Sequence, residues 1–170
     1  MDTNVISEIN FEEGLLDPVS QALTEWGARI VNISSTYHTH KQNPENREFV
    51  HLAKQMLNEL YDFEYMEGKI FFKPTLAKEV PVRISWLETL SYFVFPDGIE
   101  ENDGFAINTR WKRVSFKNVK VLQNKRDYII AMGTCRFIPE SGDHTIADFT
   151  FGFREASEKL RIFMHISQGR

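Results

Sequence analysis

Phe149-Thr-Phe-Gly-Phe-Arg154 and Leu160-Arg-Ile-Phe-Met-His-Ile-Ser167 alternate with a period of two, the period of half-buried strands. The polar residues 155–159 between them form the turn. Strict alternation puts Leu160, Ile162, Met164 and Ile166 on one face of the last strand. It puts Arg161, Phe163, His165 and Ser167 on the other. A face holding His165 and Ser167 beside Phe163 is neither plain core nor plain solvent face. It is a candidate cavity wall.

Working back from this hairpin, strands are expected over 105–107, 110–118, 119–122, 128–138 and 145–154. Turns at 124–127 and 140–143 join them into an antiparallel meander. Before residue 104 the pattern is helical. Asp17-Pro18 supplies an N-cap and a proline for the first turn. From there Val19, Ala22, Leu23, Trp26, Ile30, Ile33 and Tyr37 recur at helical spacing, ending near 38–41. A second amphipathic helix is expected over 44–61, and a short one within 84–93. Residues 70–75 read as extended chain, with Pro74 restricting its predecessor. Residues 96–104 form a polar loop, and 1–16 a loose arm whose Phe11, Leu15 and Leu16 are free to dock. Helices first and a long antiparallel sheet after make an α+β architecture. A curved sheet wrapped on a long helix leaves a conical cavity, the shape of the NTF2-like or SnoaL-like fold.

At 170 residues the chain is expected to form one domain, 1–170, with the 1–16 arm attached. Hydrophobic content of 42% and 14 Phe mark a folded protein. A net charge of −4 leaves no electrostatic footprint for nucleic acid. The lone Cys135 fits a reducing compartment and leaves no intrachain disulfide and no Cys-based zinc site. There is no basic-then-apolar leader and no run near the ~20 apolar residues of a membrane span, so a cytoplasmic location is expected.

Other polar residues favour simpler readings. His38 and His40 are two apart on a helix and do not share a face, so solvated helix-end residues are expected. Asp148 and Thr150 share a strand face opposite Phe149 and Phe151, and either join a polar cavity with His165 or face water. Tyr92 lies in an apolar run, where a Tyr buries its ring and finds one partner for its hydroxyl. There is no glycine-rich phosphate loop and no Gly-x-Ser-x-Gly elbow. No compact His/Cys/Asp/Glu ligand cluster appears either.

The series Lys73-Pro-Thr75, Leu90-Ser-Tyr-Phe-Val94, Gly104-Phe-Ala-Ile107, Ile130-Ala-Met-Gly133, Phe149-Thr-Phe-Gly152 and Met164-His-Ile-Ser167 resembles the iota-class carbonic anhydrases. These are NTF2-like domains, similar to the association domain of calcium/calmodulin-dependent protein kinase II. The resemblance spans a little over half the chain. It implies reversible hydration of carbon dioxide in a small cavity lined by Thr75, Tyr92, His165 and Ser167, where bicarbonate binds. All four are then expected to be catalytic: His165 accepts the proton from water, directly or through Ser167, while the Thr75, Tyr92 and Ser167 hydroxyls hold the water and the substrate. It implies a metal-free site, with manganese as the cofactor described for other members. The family's closing His-His-Ser-Ser-Leu-Pro runs here as His165-Ile-Ser-Gln-Gly-Arg170, and strand alternation turns Ile166 and Gln168 away from His165 and Ser167. The alternative reading is a non-catalytic NTF2-like module for dimerisation or small-ligand binding. A third, a SnoaL-like isomerase or cyclase, would use Asp148 with His165. A homodimer is expected, covering Val114, Phe116, Ile130 and Met132.

Overall fold

The computed structural model describes residues 5–9, 17–95, 103–123 and 128–170. Helices α1 (Pro18–His40), α2 (Glu48–Leu60) and α3 (Trp86–Val94) pack on one face of a curved, unclosed sheet. Its strands are β1 (Val5–Ile9), β2 (Lys69–Lys73), β3 (Arg83–Ser85), β4 (Trp111–Gln123), β5 (Ile129–Pro139), β6 (Thr145–Ala156) and β7 (Lys159–Gly169). They lie in the order β1-β4-β5-β6-β7-β2-β3. This is the α+β arrangement that the helix-then-strand pattern implied. One pairing adds to the antiparallel meander: β2 runs parallel to β7, with Phe72 opposite His165.

Helix α1 begins as its sequence dictates. Asp17 Oδ1 accepts from the amides of Val19 and Ser20, both at 2.9 Å. Val19, Leu23, Trp26, Ile30 and Ile33 form its buried stripe against the inner sheet face. Gly27 lets the helix approach β4, since a Cβ there would sit 3.0 Å from Val114 Cβ. The second helix starts at Glu48, later than its apolar stripe suggested. Asn43 and Asn46 hold the preceding chain in turns, their side chains accepting from the amides of Glu45 and Glu48.

Three strand expectations need correction. Residues 105–107 are a turn, not a strand; the first two amides satisfy the end of α3, with Phe105 N donating to Tyr92 O at 2.7 Å and Ala106 N to Phe93 O at 2.9 Å, while Ile107 N donates to Gly104 O within the turn. The two strands expected on either side of residue 118 are one, β4, with an irregularity where Asn118 adopts φ +54° opposite Gly133. The last strand does not alternate strictly. Gly152 pairs with Met164 and Phe153 with Ile162, so Phe163 is an extra, bulged residue. The bulge makes Ile162, His165 and Ser167 the buried set and removes Phe163 from their face. The Phe163 ring instead crosses Gly152, whose Cβ would lie 2.8 Å from it.

The strand Val5–Ile9 lies within the expected arm and pairs with β4. Phe11, Leu15 and Leu16, most of the loop 96–104 and the turn 124–127 lie outside the described residues.

On the outer sheet face, Leu122, Ile130, Gly152, Met164 and Phe71 stand side by side across adjacent strands. Leu122 and Phe71 are exposed there, as is Met132 in the next row. Two residues expected on this face are not on it: Phe116 is buried against Phe149, and Val114 packs on Gly27 of α1.

Candidate active site

The parallel pairing of β2 with β7 assembles the site. It sets the Phe72 ring 5.0 Å from the His165 ring and 5.3 Å from that of Tyr92. Phe72 is fully buried and thus forms an apolar floor shared by both. Past the end of β2, Pro74 is buried and Thr75 reaches across to β7, its Oγ1 lying 2.6 Å from Ser167 Oγ. Tyr92 comes from α3, which a capping box starts. Ser85 Oγ accepts from Glu88 N at 3.2 Å, while Glu88 Oε2 accepts from Ser85 N at 2.9 Å. From the last turn of that helix the Tyr92 ring stacks on Phe105, centroids 5.5 Å apart. Its hydroxyl lies beside the Thr75 side chain and the backbone of Thr75 and Leu76. The sequence therefore named four residues that the fold gathers: a run of hydroxyls, Ser167–Thr75–Tyr92, with His165 two residues along the strand from Ser167.

Burial dominates the electrostatics. It pushes the Tyr92 phenol above its ordinary range, against the opposing pull of Thr75, Leu76 and Arg83. It pushes the His165 imidazole down from 6.5 to about 3. Such an imidazole is neutral at neutral pH and a weak proton acceptor. The Phe151 ring meets it edge-on at 4.3 Å, and the Trp26 ring at 5.4 Å.

Three contributors carried no sequence signal of a site. Tyr61, just after α2, is fully buried, and its hydroxyl lies 2.9 Å from His165 Nδ1. Trp26 Nε1 donates to the same hydroxyl at 3.0 Å. Trp26 read as one member of the apolar stripe of α1, and Tyr61 only as the end of the expected second helix. The only available hint was general: a buried indole N–H or phenol needs a partner. Arg83 is the third. It is fully buried, donates to Glu88 O at 3.1 Å, and its guanidinium carbon sits 5.6 Å from the Tyr92 ring centroid. A buried positive charge thus lies beside the Tyr92 ring.

Asp148 does not join this set. It is exposed on the outer face, bound by the Arg170 guanidinium at 2.6 Å, and the arginine holds its carboxyl below the usual range. An acid–base pair of Asp148 with His165 is therefore corrected: they occupy opposite faces of the sheet. Ile166 and Gln168 lie out there with Asp148 and Thr150, as strand alternation required. Among the described residues no group of three or more His, Cys, Asp or Glu is placed to hold a metal ion.

A family model described as metal-independent carbonic anhydrase matches residues 17–168. The chain belongs to that family. The match spans all three helices, β2 to β7, and every site residue named above. Among solved structures, the chain is similar to an iota-carbonic anhydrase from a cyanobacterium complexed with bicarbonate. The TM-score is 0.76 at 26% identity, over 91% of each chain. It is also similar to a putative calcium/calmodulin-dependent protein kinase II association domain from Xanthomonas campestris. That TM-score is 0.60 at 17% identity, over 89% of this chain and 85% of the other, and shows a shared fold. No curated protein matches the chain significantly.

Proposed function

We propose that this chain catalyses the reversible hydration of carbon dioxide to bicarbonate, without a metal, between Thr75, Tyr92, His165 and Ser167. The observation that carries the reading is the Thr75–Ser167 hydroxyl pair at 2.6 Å, set beside Tyr92 and a neutral, buried His165. Hydroxyls both donate and accept, so this cluster can hold a water molecule and, after reaction, the three oxygens of bicarbonate. The water oxygen forms the new C–O bond while one C=O electron pair moves onto oxygen. The water proton passes to Ser167 Oγ, which hands its own to Thr75 Oγ1 and so towards solvent. Arg83 favours the negative charge that develops nearby. A manganese centre fits poorly, because the pocket offers hydroxyls and one imidazole rather than carboxylates.

The family and the bicarbonate-bound relative support this reading. The test is carbon dioxide hydration by chelator-treated protein, followed by stopped flow. Activity should survive chelation, and Tyr92→Phe and Ser167→Ala should each lower kcat/KM by roughly 100-fold, the scale of one lost donor to a developing charge. No rate above background, or full activity in both variants, refutes it. Bicarbonate binding without hydration would instead establish a non-catalytic ligand-binding module.

The reading includes a homodimer formed through the outer sheet face, where the apolar row from Leu122 to Phe71 needs cover. Light scattering of Met132→Lys and Phe71→Lys against the parent chain tests it; a monomeric parent refutes it. It also includes a cytoplasmic location, supported by the single, buried, unpaired Cys135. Localisation of a tagged chain tests that.

A further inference from the structure

The hydrogen-bond chain behind His165 has a direction. An indole Nε1–H only donates, so Trp26 must give its proton to the Tyr61 oxygen, 3.0 Å away. The Tyr61 hydroxyl is fully buried and must place its own proton on an acceptor. Among the described residues the acceptor within reach is His165 Nδ1, at 2.9 Å. Burial also holds the phenol far above its ordinary range, so the proton stays on oxygen. Nδ1 thus accepts. In a neutral imidazole the other nitrogen then carries the hydrogen.

We propose that Trp26 and Tyr61 fix His165 as the Nε2–H tautomer, so that His165 donates a hydrogen bond to an oxygen of bound bicarbonate and Tyr61 is a positioning residue of the site. This rests on the carbonic anhydrase reading for the identity of the ligand, but not for the tautomer. It replaces the role of proton acceptor expected for His165 from the sequence. The hydration proton leaves by the Ser167–Thr75 side, and Nε2–H stabilises the oxygen onto which the C=O electron pair moves. The aromatic walls around the ring, Phe72, Phe151 and Trp26, hold its plane. Among the described residues they leave the choice of proton position to the Tyr61 contact at Nδ1.

The experiment is nitrogen NMR of the imidazole in protein labelled at histidine, near neutral pH, with and without sodium bicarbonate. The parent protein should show a pyridine-like Nδ1 and a pyrrole-like Nε2 for His165, and bicarbonate should shift the Nε2–H proton. Tyr61→Phe keeps the ring and deletes only the hydroxyl. It should give a mixture of tautomers and a loss of about tenfold in kcat/KM, the scale of one orienting hydrogen bond. If that variant fails to fold, Trp26→Phe removes the first donor, and the parent spectrum alone still decides. A pyrrole-like Nδ1, or an unchanged tautomer and rate in Tyr61→Phe, overturns the proposal. An Nε2–H that saturating bicarbonate leaves unmoved, in an active enzyme, overturns the donor role. An Nε2–H tautomer in a protein that hydrates no carbon dioxide overturns the enzymatic reading and leaves the tautomer assignment standing.

Discussion

Lowering the pH from about 7.5 to about 5 should cost this protein roughly 2 kcal/mol of folding stability through His165 alone. The imidazole titrates near its ordinary 6.5 when the chain is unfolded, but burial holds it to about 3 in the fold. As the pH falls below 6.5, the unfolded chain takes up the proton first. Its gain per pH unit is about 1.4 kcal/mol until the folded site is protonated too. Stability from this source is therefore complete above pH 7 and is lost between about 6.5 and about 3. The whole window is worth roughly 5 kcal/mol, a large part of a typical domain's stability. Urea unfolding followed by tryptophan fluorescence at both pH values measures the change, and His165→Gln supplies the reference. Groups such as Glu88, Glu140 and Asp148, whose carboxyls are held below the usual range, respond alike in both proteins. Parent and variant should differ by about 2 kcal/mol in how much stability they lose. Equal losses in the two would refute the claim that the fold holds His165 neutral, and with it the electrostatic basis of the site.

Three further outcomes are expected. Gly133→Ala should destabilise by about 1–3 kcal/mol, because its Cβ would lie 3.0 Å from Lys117 O and 3.1 Å from Val119 Cα, backbone atoms that cannot turn aside; thermal melting measures it. Ser85→Ala breaks the capping box of α3 and should cost about 1 kcal/mol. Because that helix carries Tyr92, bicarbonate affinity, read by titration calorimetry, should weaken with it. Arg154→Met leaves the Asp62 carboxylate, 1% exposed and otherwise bound at 2.6 and 3.0 Å, without its cation, and should cost roughly 3 kcal/mol in urea unfolding.

What the sequence disclosed was chiefly local chemistry. Asp17-Pro18 starts α1 because a carboxylate next to a proline satisfies the first amides whatever the rest of the chain does. The pairing of His165 with Ser167 survived because they are two apart on one strand, beyond the bulge. The bulge itself was invisible. It depends on Gly152, which offers room for the Phe163 ring from the neighbouring strand. The turn at 105–107 looked like a strand because its residues are apolar; they are apolar because they pack the core while their amides cap α3. Tyr61 and Arg83 reach the site through tertiary contacts, Tyr61 lying 104 residues from His165, and no period or spacing records such a contact. Asp148 was undecided from its own strand alone, and Arg170 on the outer face settled it.

β7 follows every other described element along the chain, yet it sits between β6 and β2, well inside the sheet. Until it arrives, β2 and β3 have no attachment to the meander, and Phe72, Tyr61 and Trp26 have lost the imidazole they surround. A chain on which β7 has not yet docked thus exposes an apolar slot and an open strand edge. The same insertion that closes the hydrophobic core delivers His165 and Ser167. A chain that lacks a docked β7 is left with the slot unfilled, the kind of exposed apolar surface that chaperones and proteases recognise.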